Sequence, residues 1–465
     1  MKALMAGEIA RIVDGRLVGS DVPVGPDVVI DSRLVTPGAL FVAIAGARVD
    51  GHDYLGSVAD SGGAAALVDH AVEARLPQIV VADTIGALSA LARHIAAEGR
   101  EHGLVSLALT GSSGKTSTKD MLAQVLEPAG VTVAPRGSFN NKITMPLTVT
   151  GVDESTRFLV AEMGATKIGH IEWLCSISRP GIAAVLNVGH AHIGEFGSRE
   201  AIAQAKGEIV EGLPDTGWAV LNADDPLVTG MAGRTKAQVA WFSAAGAGLG
   251  GDIWAGARDV RLDDLDRASF RLVGHAAGAA FDQPVRLRTL GAHQVANACA
   301  AAVMALCAGL APDAVAVALS SAVARSSWRM EPVNLADGRL VLNDAYNANP
   351  DSVAAALASL GRLARSRSTR PVAVLGDMLE LGPAAEAAHE TAGRLAVEAG
   401  ATVIAVGEFA QFTAAGARRA GGEAFVMARD DVADWLARSS ARVVLVKGSR
   451  GVGLDSIVTQ WEDRQ

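Results

Sequence analysis

Short apolar runs separated by polar and glycine-rich turns open the chain. They lie at residues 28–30, 39–44, 65–68 and 79–81. Each run is rich in Val, Ile, Leu and Ala and is bounded by Gly, Asp or Pro, a pattern typical of short buried strands. A segment with helical periodicity follows at 85–97. The pattern predicts a small mixed α/β domain over residues 1–100.

The middle of the chain alternates strand-like and helical segments. Its strand candidates lie at 104–110, 158–162, 183–187 and 219–222. Alternation of this kind favours a mostly parallel sheet that is covered by helices. Residues 245–290 are instead rich in Gly and in alternating charges, which predicts either an antiparallel edge of that sheet or an excursion from it. We expect a central P-loop-type domain over residues 101–314.

The last third of the chain repeats a strand-and-helix spacing. Its strand candidates lie at 340–342, 372–375, 403–406 and 443–446, separated by Ala-rich helical stretches. A spacing of about 30–40 residues is that of successive βα units. We therefore expect a Rossmann-like domain over residues 315–465. The fold class that follows is α/β with three domains.

Composition and charge exclude several classes of protein. The chain has 41 Lys and Arg against 50 Asp and Glu, a net charge of −9, so no nucleic-acid partner is expected. The longest apolar stretch, 296–311, contains Asn297 and is shorter than the ~20 residues of a membrane-spanning helix, so no integral membrane protein is expected. Cys175, Cys299 and Cys307 form no C-x-x-C pair, which favours the reducing cytoplasm.

The segment 110–117, TGSSGKTS, lies between a predicted strand and a predicted helix. Backbone N–H groups in such a turn bind phosphates, and the Lys and Thr that follow suit the β/γ-phosphates and Mg²⁺. Leu109 stands where the full P-loop consensus has Gly, so only the second half of that consensus is matched. An ordinary glycine-rich turn is the alternative. The expected nucleotide-binding residues are Gly111, Ser112, Ser113, Gly114, Lys115, Thr116 and Ser117.

Other polar residues follow predicted strands, where an α/β sheet presents side chains to its ligand. Glu162 ends one strand and suits Mg²⁺, although local hydrogen bonds would also explain it. His190 and His192 follow the next strand, and their spacing alone favours structural roles. Lys206, taken alone, is typical of a solvated helix position. The segment 344–350, taken alone, is typical of a turn. The segment 447–451, taken alone, is a basic loop that would bind any anion.

Together these segments resemble the Mur ligases and their folylpolyglutamate synthetase relatives, whose nucleotide loop also lacks the first Gly of the general consensus. The similar motifs occur in order as GSFNN at 137–141, NVGHAH at 187–192, AKGE at 205–208, YNANP at 346–350 and KGSR at 447–450. In the first domain, DSR at 31–33 and DGH at 50–52 are similar to segments used around a uridine nucleotide. Within the family, the motifs are most similar to those of the branch that adds D-alanyl-D-alanine.

The resemblance implies an ATP-dependent amide ligase that joins D-alanyl-D-alanine to UDP-N-acetylmuramoyl-tripeptide through an acyl phosphate, in peptidoglycan synthesis. It implies ATP and Mg²⁺ as cofactors, small-molecule substrates as partners, and a monomer. The catalytic residues it implies are Lys115, His192 and Lys206. The nucleotide contacts it adds are Asn297, Arg329 and Asp344.

The resemblance also assigns ligand sets. Thr116 and Glu162 would hold one Mg²⁺ and His192 would help to hold a second, with Lys206 as a further metal ligand in the form of an N-carbamate. The UDP-sugar contacts would be Ser32, Arg33, Asp50 and His52. The peptide contacts would be Asn140, Asn141, Tyr346, Asn349, Lys447, Ser449 and Arg450.

Two alternatives stay open at this point. The first is another ATP-dependent amide ligase, either a sibling Mur ligase or a folylpolyglutamate synthetase. The Asp-Asn-Pro-Arg signature of the sibling that adds the third residue is absent from the chain, which argues against that sibling. The second is a nucleotide-operated switch protein that hydrolyses ATP without forming a bond.

Overall fold

The computed structural model describes residues 1–46, 49–246 and 250–462. The first domain contains a sheet in the order β2-β7-β6-β5-β4, parallel except for β2, and a small antiparallel pair of β1 and β3. Its elements are β1 Leu4–Met5, α1 Ala6–Ile12, β2 Arg16–Val18, β3 Pro23–Val24, β4 Val28–Val29, β5 Leu40–Val42, α2 Leu55–Asp60, β6 Ala65–Val68, β7 Gln78–Val80 and α3 Thr84–Glu101. The mixed α/β expectation for this region is confirmed.

Helix α3 connects the first domain to the second. The side chain of Asp83 accepts a hydrogen bond from the backbone N–H of Ile85 at 3.0 Å and caps the helix. The apolar face of α3 is buried in a core cluster that also contains Leu40 of the first domain and Leu159 of the second. The two domains therefore share one hydrophobic core, and the expected boundary at residue 100 falls inside this helix.

The second domain is built on a long twisted sheet in the order β16-β15-β14-β13-β12-β11-β8-β10-β9. Its elements are β8 Val105–Thr110, α4 Lys115–Leu126, β9 Thr132–Val133, α5 Thr144–Thr150, β10 Phe158–Glu162, α6 His170–Ser178, β11 Ile182–Val185, α7 Ile193–Phe196, α8 Arg199–Glu211, β12 Trp218–Asn222, α9 Pro226–Thr229, β13 Gln238–Ser243, β14 Trp254–Leu262, β15 Arg267–Ala276, β16 Ala279–Leu290, α10 Gln294–Cys307 and α11 Pro312–Ser321. The sheet is parallel from β9 to β14, and β15 and β16 continue it in antiparallel pairing. The antiparallel edge expected within 245–290 is confirmed, except for 247–249, which lie outside the described residues.

Helices α10 and α11 cover one face of this sheet. Helix α10 is apolar around most of its circumference and is buried along its length, as its run of Ala, Val and Met requires. The buried side chains of α11, including Val315 and Leu319, join the same core cluster. The boundary expected after residue 314 therefore falls inside α11, and the change of core comes after Ser321.

The third domain contains a sheet in the order β17-β18-β22-β19-β20-β21, parallel except for β17. Its elements are β17 Glu331–Asn334, β18 Leu340–Asp344, α12 Pro350–Ser366, β19 Val372–Leu375, α13 Ala385–Glu398, β20 Thr402–Ala405, α14 Ala410–Arg419, β21 Ala424–Val426, α15 Arg429–Arg438, β22 Val443–Lys447 and α16 Asp455–Glu462. Successive strand residues point to opposite faces, so Leu342 and Val341 lie in separate core clusters. This confirms the Rossmann-like expectation.

The carboxyl ends of the parallel strands in the second and third domains face each other. The loops after β8, β10 and β11 and those after β18 and β22 line one cleft between the two domains. Ligands bind at this end of α/β sheets. No helix within the described ranges combines the length and the apolar composition needed to span a bilayer.

Candidate functional site

A cavity of about 680 Å³ lies in this interdomain cleft, a volume within the range of small-molecule sites. It brings together most of the residues that the sequence predicted for ATP, metal and peptide. These are Ser112, Ser113, Gly114, Lys115, Thr116, Ser117, Asn140, Asn141, Glu162, His192, Asn297, Arg329, Asp344, Tyr346, Asn349 and Lys447. The predicted residues that are not in its lining, as far as the described structure shows, are Gly111, Lys206, Ser449, Arg450 and the four UDP-sugar candidates of the first domain.

The loop between β8 and α4 has the form of a phosphate-binding turn. Gly114 has a φ of +80°, the left-handed conformation that favours glycine, and it directly precedes the first residue of α4. A Cβ atom on Gly114 would overlap Oδ1 of Asn297, so α10 approaches the loop too closely for a side chain there. Among the described residues, no side chain caps α4. Its first N–H groups are therefore available to an anion.

Lys115 is the first residue of α4 and folds back over the loop. Its Nζ donates a hydrogen bond to the carbonyl oxygen of Gly111 at 2.6 Å. Burial lowers the pKa of Lys115, the carboxylate of Glu162 opposes this shift, and the guanidinium of Arg329 adds to it. Lysine, carboxylate and arginine thus meet at one end of the cavity.

Asn187, two residues after the end of β11, holds the loop in place. Its Oδ1 accepts a hydrogen bond from the N–H of Ser113 at 3.0 Å, and its Nδ2 donates to the Ser113 carbonyl at 3.2 Å. The Asn187 carbonyl also accepts from the N–H of Ser112 at 3.1 Å. The sequence placed Asn187 in a motif without giving it a role, and the structure supplies that role.

Glu162 has the environment of a cation ligand. Its side chain lies at the end of β10 and is 1% exposed. Oε1 accepts a hydrogen bond from Nδ2 of Asn140 at 2.8 Å, whereas Oε2 is buried and has no hydrogen-bond partner among the described residues. A buried, unsatisfied carboxylate oxygen is costly unless a ligand satisfies it. Glu162 therefore fits Mg²⁺, which prefers carboxylate oxygen.

Thr116 lies beside two other polar groups in the same cleft. Its Oγ1 is 2.6 Å from Oγ of Ser138, and Arg329 donates from Nη2 to Thr116 at 3.1 Å and to Ser138 at 2.6 Å. Arg329 belongs to the third domain, so these bonds connect that domain to the second domain across the cleft. Ser138 lies in the predicted GSFNN motif but was not among the predicted contacts.

Lys206 and Glu208, two residues apart in α8, have different roles. Lys206 is 3% exposed, and its Nζ forms no hydrogen bond or ion pair within the described part of the chain. Burial lowers its pKa well below the usual value, and the nearby Lys115 adds to this effect. Glu208 accepts from the N–H groups of Gly169, Ile171 and Glu172 at 2.6, 3.1 and 3.0 Å, so it caps α6.

The histidine loop after β11 contacts the third domain. Asp351, in the first turn of α12, accepts the backbone N–H of His190 at 2.9 Å and lies 3.2 Å from its Nδ1. Nδ1 of His192 contacts the carboxylate of Glu380. Neither acidic residue was predicted. Asp351 follows the predicted YNANP motif, which is the only signal for it, and the sequence carries none for Glu380.

The third-domain candidates divide into two groups. Asp344 and Lys447 end β18 and β22 and form a buried ion pair at 2.5 Å, and the second oxygen of Asp344 accepts the N–H of Met330 at 3.1 Å. The guanidinium of Arg329 stacks 4.0 Å from the ring of Tyr346. These residues all line the cavity. They connect residues 329–330, which precede β17, with the ends of β18 and β22 around the rim of the cavity.

Ser449 and Arg450 lie behind this rim. Oγ of Ser449 accepts the N–H of Leu379 at 3.0 Å. The Arg450 guanidinium pairs with Asp455 at 3.0 Å and stacks 4.0 Å from the ring of Trp328. Asn349 caps α12 through a reciprocal bond pair with Ser352, and its Nδ2 reaches the carbonyl of Ser112 at 3.4 Å. The predicted peptide contacts are thus divided between the cavity and its supporting layer.

The UDP-sugar candidates form two short turns in the first domain. Ser32 and Arg33 lie in a turn capped by Asp31, whose carboxylate accepts the N–H of Arg33 at 3.0 Å. The Arg33 guanidinium pairs with that carboxylate at 2.6 Å and holds the pKa of Asp31 at about 2. The Arg33 side chain is otherwise 85% exposed. Leu34, beside it, is an exposed apolar side chain.

The second turn is organised around a buried histidine. Asp50 caps the turn through the N–H of His52 at 3.0 Å and lies 2.6 Å from its Nδ1. Nε2 of His52 is 3.2 Å from Asp69, and its ring stacks on His70. His52 therefore orients this segment, while the neighbouring Tyr54 is exposed.

Comparison with known proteins bears on these observations. The sequence matches three family models, described as Mur ligase family, catalytic domain, over residues 27–96, Mur ligase middle domain over 109–305, and Mur ligase, glutamate ligase domain, over 328–450. Relatives of this chain carry the name UDP-N-acetylmuramoyl-tripeptide–D-alanyl-D-alanine ligase, among them proteins from Mycobacterium tuberculosis and Escherichia coli. The Mycobacterium tuberculosis protein is 40% identical over 98% of this chain and 97% of its own length, and the Escherichia coli protein 34% over 100% and 99%.

Solved structures agree in overall fold. MurF from Acinetobacter baumannii superposes with a TM-score of 0.85 at 29% identity, covering 100% of this chain and 99% of that one. The MurF ligase from Thermotoga maritima in complex with ADP gives a TM-score of 0.76 at 26% identity, covering 94% and 97%. Similarity therefore extends through all three domains and through the cleft between the second and third. The chain belongs to the Mur ligase family.

Proposed function

We propose that this chain joins D-alanyl-D-alanine to the terminal carboxylate of UDP-N-acetylmuramoyl-tripeptide, with conversion of ATP to ADP and phosphate. The observation that carries the proposal is the near full-length similarity to two ligases of that name, at 40% and 34% identity. The unsatisfied carboxylate of Glu162 beside the phosphate-type loop supports it. A nucleotide-operated switch would not account for similarity that extends into the first domain.

The chemistry follows from the poor leaving-group character of a carboxylate oxygen. An oxygen of the peptide carboxylate attacks the γ-phosphorus of ATP, and the bond to the β-phosphate oxygen breaks to give an acyl phosphate and ADP. The amine of D-alanyl-D-alanine then attacks the acyl carbon, loses a proton, and expels phosphate. Phosphoryl transfer depends chiefly on positioning and charge neutralisation. The chain supplies both in the cleft.

The residues around the loop fit these roles. The N-terminus of α4 binds the phosphates through its N–H groups, and Lys115 leaves its own loop carbonyl to neutralise the transferring group. Arg329 reaches the same point from the third domain. Bound Mg²⁺ would neutralise phosphate charge. Thr116 and Glu162 would hold one ion, and His192 would help to hold a second, with Lys206 as a carbamate supplying oxygen ligands. Asn297 and Asp344 complete the nucleotide contacts.

The carbamate on Lys206 is part of the proposal. A protonated lysine would repel a metal ion, whereas a carbamate supplies oxygen ligands. Burial without a counter-charge favours the neutral amine, the form that reacts with carbon dioxide. We expect Lys206→Ala to lose activity and to regain part of it with short carboxylic acids. Full activity of the variant without added acid would contradict the carbamate.

The first domain is proposed to bind the UDP-sugar. Arg33 offers an exposed guanidinium for the diphosphate, and Leu34 and Tyr54 offer apolar surface for the base. The peptide then extends toward Asn140 and Asn141 in the cleft. We propose that Tyr346, Asn349 and Lys447 complete the acceptor site, with Ser449 and Arg450 in support. We further propose that the chain acts as a monomer in the cytoplasm.

The deciding experiment is a product analysis. The chain is incubated with ATP, Mg²⁺, UDP-N-acetylmuramoyl-tripeptide and D-alanyl-D-alanine, and the products are identified by mass spectrometry. We expect the UDP-muramoyl-pentapeptide together with ADP. Parallel reactions offer D-glutamate, a diamino acid, or glutamate with tetrahydrofolate. Product only in one of these reactions, or ADP without a new amide in every reaction, would overturn the proposal.

A further inference from the structure

The histidine loop is docked on the third domain through its backbone. After His192, the partly buried side chain of Ile193 packs against the core of the third domain. The N–H of Gly194 donates to the carbonyl of Glu380 at 3.0 Å. A Cβ on Gly194 would lie 2.6 Å from the backbone nitrogen of Gly382, so the two segments touch backbone to backbone. The loop that carries His192 is therefore shaped by both domains.

Glu380 and His192 face each other with unusual backbones. Glu380 has a φ of +64° and His192 a φ of +61°, left-handed values that non-glycine residues adopt at a cost of ~1–3 kcal/mol each. The Glu380 carboxylate contacts Nδ1 of His192, as an electrostatic contact rather than an aligned hydrogen bond. A surface ion pair alone does not justify such strain, because exposed pairs contribute little. Strain at this position indicates a functional constraint.

The contact with Glu380 determines which nitrogen of the His192 ring is available to a ligand. Nδ1 faces the carboxylate, so Nε2 is the ring nitrogen that remains for a ligand in the cavity that His192 lines. Metal-binding histidines commonly have a carboxylate at the other ring nitrogen, and the charge of Glu380 favours the ring orientation in which Nδ1 faces it.

We propose that Glu380 is a positioning residue that orients His192 for the metal from the opposite domain. The inference rests on the metal role of His192 in the proposed function. On this proposal one component of the metal site, the oriented His192 ring, is present only when the third domain lies against the second. Nucleotide and metal bound to the second domain alone would lack an oriented His192.

A second contact separates orientation from docking. Asp351 binds the backbone N–H of His190, and Gly194 binds the backbone carbonyl of position 380, so neither depends on the Glu380 carboxylate. Removing that carboxylate should leave the loop docked on the third domain and change only the orientation of the His192 ring. This makes Glu380→Gln a selective probe. Glu386→Gln, an exposed glutamate in the first turn of α13, is the matched control.

The test measures Mn²⁺ binding to the whole protein in the presence of ADP, by electron paramagnetic resonance of the free ion. We expect the Mn²⁺ dissociation constant of Glu380→Gln to rise about tenfold, the scale for loss of a carboxylate behind a metal-binding histidine. Glu386→Gln should match the wild type. Binding of ADP without metal should be equal in all three proteins, because the loop before α4 is unchanged.

Equal Mn²⁺ affinity of Glu380→Gln and the wild type would overturn the proposal. Should Glu380→Gln unfold, Glu380→Asn replaces it, because Asn tolerates the left-handed backbone and its side chain is too short to reach His192. The same tenfold rise is expected of it, and an unchanged constant again overturns the proposal. A wild type that binds Mn²⁺ with ADP but makes no amide would contradict the proposed function and leave this inference standing.

Discussion

At the scale of single residues, the site is marked by buried polar groups without partners. Oε2 of Glu162 is buried without a hydrogen-bond partner among the described residues, and Lys206 is a buried lysine whose neighbouring charge is the like charge of Lys115. Folding alone does not favour such groups, because unsatisfied burial costs about 1–3 kcal/mol apiece. Their persistence indicates that ligands complete them. Both lie near Lys115, which identifies the reacting end of the cavity.

Lys115→Ala tests the reacting end directly. The ammonium bonds only to the carbonyl of Gly111 among the described residues, so its loss removes little from the folded state. We expect turnover to fall by about 10²–10³ or more, the scale for loss of one group that stabilises transition-state charge. Phosphate release and far-ultraviolet circular dichroism measure the two effects. A globally unfolded variant would indicate a structural role instead.

His389 gives the third domain a predictable dependence on pH. The side chain is 1% exposed, its Nδ1 lies 2.6 Å from the carbonyl of Ala385, and its Nε2 accepts the N–H of Met378 at 2.9 Å. Burial lowers the pKa of His389. The unfolded chain therefore binds a proton below about pH 6.5 that the folded chain does not, and the free energy of unfolding falls as the pH falls.

Urea denaturation at pH 7.5 and pH 5.5 measures this effect. The wild type should lose more stability on acidification than His389→Gln, whose side chain stays neutral, by at most about 1.4 kcal/mol per pH unit. Equal losses in the two proteins would show that His389 is protonated in the folded state.

At the scale of elements, α8 connects catalysis to packing. It carries Lys206 toward the cavity and, one half-turn later, directs Glu208 onto the start of α6. The cap binds three N–H groups that α6 would otherwise leave unpaired in a buried place. The AKGE motif therefore combines a ligand candidate with a helix anchor, and its second acidic residue needs no role in catalysis.

Glu208→Gln should weaken this anchor. An amide retains one acceptor oxygen where the carboxylate used two, so we expect a loss of about 1.5–3 kcal/mol in the free energy of unfolding. Thermal and urea unfolding measure the loss, and ADP affinity should remain that of the wild type. A stable variant with weakened nucleotide binding would instead place Glu208 in the site.

The elements themselves were largely predictable, and some boundaries and pairings were not. The strands around 158–162 and 443–446 follow from uninterrupted apolar runs, and both were confirmed. The boundary after 314 falls inside α11, because the apolar face of that helix gives no sign of which sheet it covers. The Asp344–Lys447 pair joins strands about 100 residues apart, a contact that only the sheet order produces. Glu380 was missed for the same reason.

At the scale of the whole molecule, the linker between the second and third domains is fastened to the phosphate-binding helix. Gln124 of α4 bonds in both directions with the backbone of Val323, at 2.8 and 3.0 Å, and Asp120 accepts the N–H of Ser326 at 3.0 Å. Trp328 and Met330 then turn the chain with φ values of +59° and +51°. Any movement of the third domain is therefore expected to pivot after Ser326.

Gly194→Ala tests whether turnover needs the docked arrangement. The added methyl group would meet backbone atoms of the third domain that have no freedom to rotate away. We expect the domains to separate, with a larger radius of gyration in small-angle X-ray scattering and a turnover lowered about 100-fold by the misplaced groups. Gly233→Ala, at an exposed position with open space around it, is the control. A compact, fully active Gly194→Ala variant would contradict this expectation.

The core shared along α3 has a consequence for inhibitor design. A compound that occupies the turns around Arg33 and also the loop around Lys115 would bridge two parts that move as one, so its spacer can be stiff and lose little entropy on binding. A compound that reaches across to Tyr346 would have to follow any movement of the third domain about the expected pivot after Ser326, so a flexible tether suits it better. Rigid bridging molecules should therefore be aimed at the amino-terminal two-thirds of the chain.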